Sequence, residues 1–240
     1  IYTLSLHDAL PILVISFDYC YKIEKEKVIE PEVRPGEGLI TMGEVVDMVS
    51  RVSEKKALVI TDVGQNQMMA ARYSKFNEKR SLVTSGGLGT MGFGVPAAIG
   101  AKIAAPDRLV CLFVGDGGVQ MTVQEFGTIM QENVGVKIII LNNNWLGNVR
   151  QWQELFFEER YSETKMLNPD YMLISKAYGL KSRVVEKREE LEDAVKEMLA
   201  DDSPYILDVR VLECGMVMPM IPPRRGIEDR KSTRLNSSHW

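Results

Sequence analysis

The stretch LVCLFVGDGGVQMTVQEFGTIMQENVGVKIIILNNN, residues 109–144, decides the fold. Its two aliphatic runs, Leu109 to Val114 and Val136 to Leu141, are too uniformly apolar to show a face to water, so they read as central strands buried on both sides. Between them Val123, Phe126, Ile129 and Met130 recur at helical spacing, which makes the whole a βαβ unit. Each strand ends on a polar triplet, Gly115-Asp116-Gly117 after the first and Asn142-Asn143-Asn144 after the second, with Asn143 lying 27 positions beyond Asp116. Parallel sheets bind ligands just outside the carboxyl ends of their strands. A carboxylate oxygen and an amide oxygen placed there suit a hard divalent cation holding a diphosphate, which points to a cofactor enzyme.

The same alternation extends in both directions. Upstream, Met42 to Val49 has helical periodicity, Ala57 to Ile60 reads as a buried strand, Thr61 to Gly64 as the turn leaving it, and Gln67 to Phe76 as a helix. Ser81 to Thr84 is a strand candidate, followed by a glycine-dense run from Ser85 to Gly94 and a helix from Val95 with Pro96 in its first turn. Downstream, aromatic residues at 145, 152, 156, 157 and 161 either pack a helix or wall a cofactor cleft. Asn168-Pro169-Asp170 reads as a helix start before Tyr171 to Tyr178, which Gly179 caps. Arg183 to Val185, Glu189 to Leu199 and Tyr205 to Leu212 continue as strand, helix and strand. Repeated β-then-α order predicts a three-layer α/β/α sandwich around a mainly parallel sheet.

Composition narrows the function classes. The chain has 240 residues, a length that suits one well-buried domain, and a net charge of -4 with its basic residues dispersed, which disfavours a nucleic-acid surface. No apolar run is long enough to cross a bilayer, so no membrane partner is expected. Cys20, Cys111 and Cys214 form neither a CxxC pair nor an evident disulfide framework, which fits a reducing, cytoplasmic setting.

Residues 1–12, IYTLSLHDALPI, and 229–240, DRKSTRLNSSHW, resemble in-frame translations of sequencing-adapter DNA, so the native reading is expected to run from about Leu13 to Glu228. Within it, 13–38 reads as a surface linker or tail, with its charged KIEKEK run and Pro31 and Pro35, and 39–228 as the domain proper. The only histidines, His7 and His239, lie in the two end segments. The body of the chain therefore offers no Ser-His-Asp triad, Cys-His pair or histidine zinc site.

Four stretches closely resemble the thiamine-diphosphate-binding C-terminal domain of the acetolactate synthase (acetohydroxyacid synthase) large catalytic subunit family: TDVGQNQMMAARY at 61–73, SGGLGTMGFGVPAAIGA at 85–101, VGDGGVQMTVQEF at 114–126 and ILNNNWLGNVRQWQELFFEERYS at 140–162. The resemblance implies decarboxylation of pyruvate and condensation of the hydroxyethyl unit with pyruvate or 2-oxobutyrate, giving 2-acetolactate or 2-aceto-2-hydroxybutyrate for branched-chain amino acid synthesis. It implies thiamine diphosphate and Mg2+, and FAD in the full-length parent, mainly through a domain absent from this chain. It also implies a homodimer or higher homo-oligomer with a regulatory small subunit.

Carried over residue by residue, the resemblance makes Asp116, Asn143 and the main-chain oxygen of Trp145 the metal ligands. The cofactor-binding set is Gln65, Gly89, Met91, Gly115, Asp116, Gly117, Gly118, Asn143, Trp145, Leu146 and Gly147. Met91, which periodicity alone would place in a core, corresponds to a residue wedged between the two cofactor rings, and Trp152 to a tryptophan lining the substrate channel; these are the catalytic candidates. Gln67 falls beside Gln65 in a loop that matches one near the diphosphate. Asn66 stands where the family often has His, and Asn148 where many members carry Met, departures that bear on substrate preference. No residue matches the glutamate that activates the aminopyrimidine, which in the family comes from a partner subunit's N-terminal domain, so this chain alone is expected to show little or no turnover.

Two alternatives stand beside this reading. Another thiamine-diphosphate-dependent 2-oxoacid decarboxylase or carboligase shares the GDG motif and paired asparagines, but the narrower VRQWQELFFEERYS favours the first reading. A non-catalytic α/β cofactor-binding module is disfavoured because the glycine-rich run has neither the Lys-Ser/Thr of a P-loop nor a clean GxGxxG after a first strand.

Overall fold

A computed structural model describes residues 17–221; the end segments 1–12 and 229–240, with both histidines, lie outside the described residues. Six strands form one sheet: β1 (Leu58–Thr61), β2 (Leu82–Thr84), β3 (Val110–Gly115), β4 (Val136–Asn142), β5 (Lys181–Val185) and β6 (Tyr205–Arg210). Their order is β2-β1-β3-β4-β6-β5, and every neighbouring pair is parallel. The helices are α1 (Met42–Val52), α2 (Gln65–Tyr73), α3 (Gly94–Ala104), α4 (Asp116–Met121), α5 (Phe126–Glu132), α6 (Gly147–Phe156), α7 (Tyr171–Ala177) and α8 (Arg188–Leu199).

The central strands divide their side chains between two cores because successive residues of a strand point to opposite faces. Ile139 and Leu141 of β4 join Val45 and Val49 of α1, Ala70 of α2 and Leu191 and Val195 of α8 on one side. Val136, Ile138 and Ile140 of the same strand join Val95 and Ile99 of α3, Phe126 and Ile129 of α5 and Tyr171 of α7 on the other. Each fully buried branched side chain contributes about 1.5–3 kcal/mol relative to exposure. The uniform hydrophobicity of 109–114 and 136–141 is thus the signature of the middle layer of an α/β/α sandwich.

Local chemistry sets several element ends. Thr41 and Glu44 form a reciprocal capping box at the start of α1, and the Asp170 side chain accepts from the Met172 and Leu173 amides to start α7. Gly179 takes a left-handed φ of 67° just past α7. The tail is not featureless: residues 17–33 are helical and mostly exposed, with Phe17, Tyr19 and Tyr21 facing solvent.

Two helix starts differ from the sequence reading. The helix expected from Gln67 begins at Gln65, and the helix expected from Val123 is preceded by α4, which opens at Asp116 itself. The reason in the second case is close packing at glycine. A Cβ on Gly117 would sit 2.8 Å from Leu146 Cδ2, and one on Gly118 would sit 2.6 Å from Asp62 Oδ1. Gly117 and Gly118 read as turn residues by propensity, but here they let a helix turn form against neighbouring chain.

The chain steps from β1 outward to β2, then crosses back to place β3 on the other side of β1. That reversal opens a crevice above the carboxyl ends of β1 and β3, where open parallel sheets take their ligands.

Candidate functional site

A cavity of about 230 Å³ lies at this crevice, bounded by the segments that leave β1, β3 and β4. All eleven residues expected to bind the cofactor line it: Gln65 from the first, Gly89 and Met91 from the glycine-rich loop, Gly115 to Gly118 from the second, and Asn143 with Trp145 to Gly147 from the third. Met91 is half-buried at the cavity and belongs to neither core, so periodicity alone misplaces it.

Backbone shape brings these segments together. Gly64 has φ 115° and ψ -151°, a conformation open essentially only to glycine, and it turns the chain from β1 into α2. Asp62, fully buried at the end of β1, accepts from the Gly92 amide at 3.2 Å and the Gly94 amide at 2.7 Å, which holds the glycine-rich loop over the sheet. Asn144 adopts a left-handed φ of 58°, and the turn it makes lets the Trp145 amide donate to Asn143 Oδ1 at 3.2 Å. A Cβ on Gly147 would lie 2.2 Å from Gln65 Oε1, so this glycine is what allows α6 to begin against α2.

Asp116 and Asn143 are 1% and 2% exposed. Asp116 Oδ2 accepts from Asn168 Nδ2 at 2.7 Å and Oδ1 from the Gly117 amide at 3.2 Å. Burial nevertheless dominates and pushes the carboxyl up to about 6, with these two hydrogen bonds opposing it. Asn143 donates through Nδ2 to Gln65 Oε1 at 3.4 Å, and Gln65 in turn donates to Gln151 Oε1 at 3.0 Å and the Gly215 carbonyl at 2.9 Å.

Among the described residues no lysine, arginine or histidine lines the cavity, and the one acidic side chain there is Asp116. A polyanion entering alone would meet a carboxylate without a counter-charge, so it must arrive with a cation. Among the described residues no group of three or more His, Cys, Asp or Glu side chains could hold a metal. Asp116, Asn143 and a main-chain carbonyl would instead offer a mixed oxygen set suited to a hard ion. The N-termini of α2 and α6 carry no side-chain cap and border the cavity. Two lining side chains also hold buried polar atoms without partners, Asn66 Oδ1 and Trp145 Nε1. Glycine cradles, uncapped helix starts and unpaired polar atoms together fit an anionic cofactor with its divalent ion.

Trp152 lies elsewhere. It sits on α6 against Phe156, ring centroids 5.2 Å apart, and lines an adjoining groove of about 620 Å³ with Met68, Arg72 and Met220. Asn148 lines both spaces and joins them. Gln67 points away from the cavity, its amide donating to Thr84 Oγ1 at 2.7 Å on β2. Of the aromatic stripe, Trp145 and Tyr161 flank the buried guanidinium of Arg150, 5.2 and 5.1 Å from the two ring centroids.

Sequence reasoning missed three side chains. Asp62 had the same signal as Asp116, an acid at a strand's carboxyl end, but reads as an ordinary turn residue. Gln151, buried in α6, accepts from the Val217 amide at 2.9 Å and so fastens the C-terminal strap, a contact 66 residues away in the chain. Asn168, which reads as the start of a turn, reaches Asp116 across 52 positions.

The sequence model described as "Thiamine pyrophosphate enzyme, C-terminal TPP binding domain" matches residues 62–209. The chain is 43% identical over 180 residues to the acetolactate synthase isozyme 2 large subunit of Escherichia coli (strain K12), covering 73% of this chain and 33% of that protein. It is 43% identical over 180 residues to the acetolactate synthase large subunit of Lactococcus lactis subsp. lactis, covering 75% and 31%. Against the mitochondrial acetolactate synthase catalytic subunit of Saccharomyces cerevisiae the identity is 43% over 188 residues, covering 77% and 27%. The chain thus spans about a third of the length of the curated relatives it matches.

Proposed function

The chain belongs to the thiamine pyrophosphate enzymes as an acetolactate-synthase-like C-terminal TPP binding domain, and from that premise we propose that its cavity holds thiamine diphosphate with Mg2+. In the parent enzyme it serves decarboxylation of pyruvate and transfer of the two-carbon unit to pyruvate or 2-oxobutyrate. The observation that carries this reading is the cavity itself: a buried carboxylate and a buried amide at the ends of adjacent strands, beside two uncapped helix N-termini and without a basic side chain.

When bound, thiamine diphosphate supplies the electron sink that lets a 2-oxoacid lose carbon dioxide. The chain's part is to bind, orient and shelter. Asp116, Asn143 and the Trp145 carbonyl hold the cation, and the cation neutralises the diphosphate where the cavity cannot. Gly117 and Gly147 let the starts of α4 and α6 pack against Leu146 and Gln65 at the cavity wall, where the α6 N-terminus would face the diphosphate. Met91 supports the cofactor rings, and Trp152 with Asn148 borders the groove by which the second keto acid enters. Asp62 keeps the Met91 loop in place through the Gly92 and Gly94 amides.

No glutamate lines the cavity, so the group that activates the aminopyrimidine is proposed to come from another segment, in a homo-oligomer with a regulatory small subunit. FAD in the parent and a cytoplasmic setting belong to the same reading, the latter supported by free thiols at Cys20, Cys111 and Cys214.

Titration of thiamine diphosphate into the purified chain, followed by tryptophan fluorescence, tests the site. The expected result is saturable quenching with Mg2+ that a chelator abolishes and that ATP or NAD does not reproduce. Equal binding without a divalent cation, or equal binding of ATP, would sink the proposal. Turnover of pyruvate by this chain alone would contradict the assignment of the activating glutamate elsewhere.

A further inference from the structure

Asn168 lies outside the cavity, yet it reaches Asp116 in the cavity wall and the two asparagines that flank Asn143. Its Nδ2 is 2.7 Å from Asp116 Oδ2 and 3.1 Å from both Asn142 Oδ1 and Asn144 Oδ1. Its Oδ1 accepts from Gln120 Nε2 at 2.9 Å. The amide therefore has one allowed orientation: turned over, its oxygen would face a carboxylate and two amide oxygens. The Tyr171 hydroxyl donates to the main-chain oxygen of Asp116 at 2.9 Å, so the same cluster grips Asp116 at both its carboxylate and its backbone. Pro169 follows Asn168 and restricts its backbone, which further limits where the side chain can go.

Two consequences follow for the cation ligands. The short 2.7 Å bond from Asn168 occupies Asp116 Oδ2, while Oδ1 accepts the longer 3.2 Å contact from the Gly117 amide, with the Asn144 amide also directed at the carboxylate. The bonds to Asn142 and Asn144 tie the end of β4, which carries Asn143, to the end of β3, which carries Asp116. We propose that Asn168 is a positioning residue that makes Asp116 a one-oxygen ligand, fixes its spacing from Asn143, and so biases the site toward Mg2+ over larger divalent cations. The physical basis is that Mg2+ demands near-octahedral geometry from single oxygens, whereas Ca2+ accepts two-oxygen carboxylate coordination and a looser shell. This role rests on the reading of the cavity as a cation–diphosphate site.

The test is calorimetric titration of Mg2+ or of Ca2+ into the 240-residue chain at a fixed excess of thiamine diphosphate, for the unaltered protein, Asn168→Ala, Asn168→Ser and Tyr171→Phe. Losing such a supporting partner costs roughly 10- to 100-fold in metal affinity, and the loss is expected with Mg2+ but not with Ca2+. The Mg2+-to-Ca2+ affinity ratio should thus fall at least about tenfold in both Asn168 variants, the serine variant standing in if the alanine variant does not fold. Tyr171→Phe keeps the carboxylate bond, so it should lower the thermal midpoint without moving the ratio. A ratio unchanged in the Asn168 variants, or moved as far by Tyr171→Phe, overturns the role of Asn168 alone. No binding by the unaltered chain with either cation overturns the cofactor reading and this role with it.

Discussion

At the amino ends of the strands, Lys137 is fully buried, and its ammonium donates to the main-chain oxygens of Asp201, at 2.8 Å, and Ser203. Nearby, Lys102 donates to the carbonyls of Pro106 and Arg108 and to Asp202 Oδ1, at 2.8, 3.0 and 2.8 Å. At the carboxyl ends the buried charge is Asp116, pushed up to about 6 by burial, and beside it Asn66 Oδ1 and Trp145 Nε1 have no partner. Both ends bury polar groups of the same strands, β3 and β4 among them. At the amino end the ammoniums of Lys137 and Lys102 find their hydrogen bonds within the chain, as structural charges require, while at the carboxyl end Asn66 Oδ1 and Trp145 Nε1 are left without a partner. A buried polar group thus indicates function here by what it lacks.

Substitutions can break this contrast. The largest effect is expected for Asp116→Asn, which removes the anionic cation ligand and should abolish saturable Mg2+-dependent binding of thiamine diphosphate. Next comes Lys137→Ala, which empties a fully buried side-chain site and removes the donor to two main-chain carbonyls, and should cost about 2–5 kcal/mol in denaturant unfolding. Cofactor affinity of the folded fraction should stay unchanged, since Lys137 is at the opposite end of the sheet.

The contrast also has a pH signature in the cofactor-free chain. The Asp116 carboxyl is raised from 3.8 to about 6, so the folded state holds its proton more tightly than the unfolded state does. Its contribution to stability is fully present below 3.8 and is lost as pH rises through about 6, a span of about 3 kcal/mol. Urea unfolding between pH 4.5 and 7 should therefore show about 2 kcal/mol of this loss in the unaltered chain, beyond whatever slope remains in Asp116→Asn. A smaller effect is expected for Gly147→Ala, whose Cβ would collide with Gln65 Oε1 and force α2 and α6 apart, costing about 1–3 kcal/mol along with weaker cofactor binding.

The fold was legible wherever burial on both faces left a continuous aliphatic run, as in β3 and β4, because nothing but a middle layer tolerates such segments. The Asp116–Asn143 pair was legible for a related reason: the end of a buried parallel strand is a predictable place. What could not be read depended on contacts distant in sequence. The start of α4 at Asp116 is set by Leu146 and Asp62, which crowd two glycines that in isolation signal a turn. Gln67 looked as eligible as Gln65, yet the helix that begins at Gln65 turns Gln67 toward β2. Asn168 had no local signal, because its meaning lies in the carboxylate it meets rather than in its neighbours.

The central claim, that the carboxyl end is left incomplete for a ligand, is most directly tested by thermal unfolding of the unaltered chain and Asp116→Asn, each with and without Mg2+ and thiamine diphosphate. Ligand at about 100 times its dissociation constant stabilises by about 2.7 kcal/mol. A clear rise in midpoint is expected for the unaltered chain and none for Asp116→Asn. Equal rises in both proteins, or no rise in the unaltered chain, would contradict an end left open for a ligand.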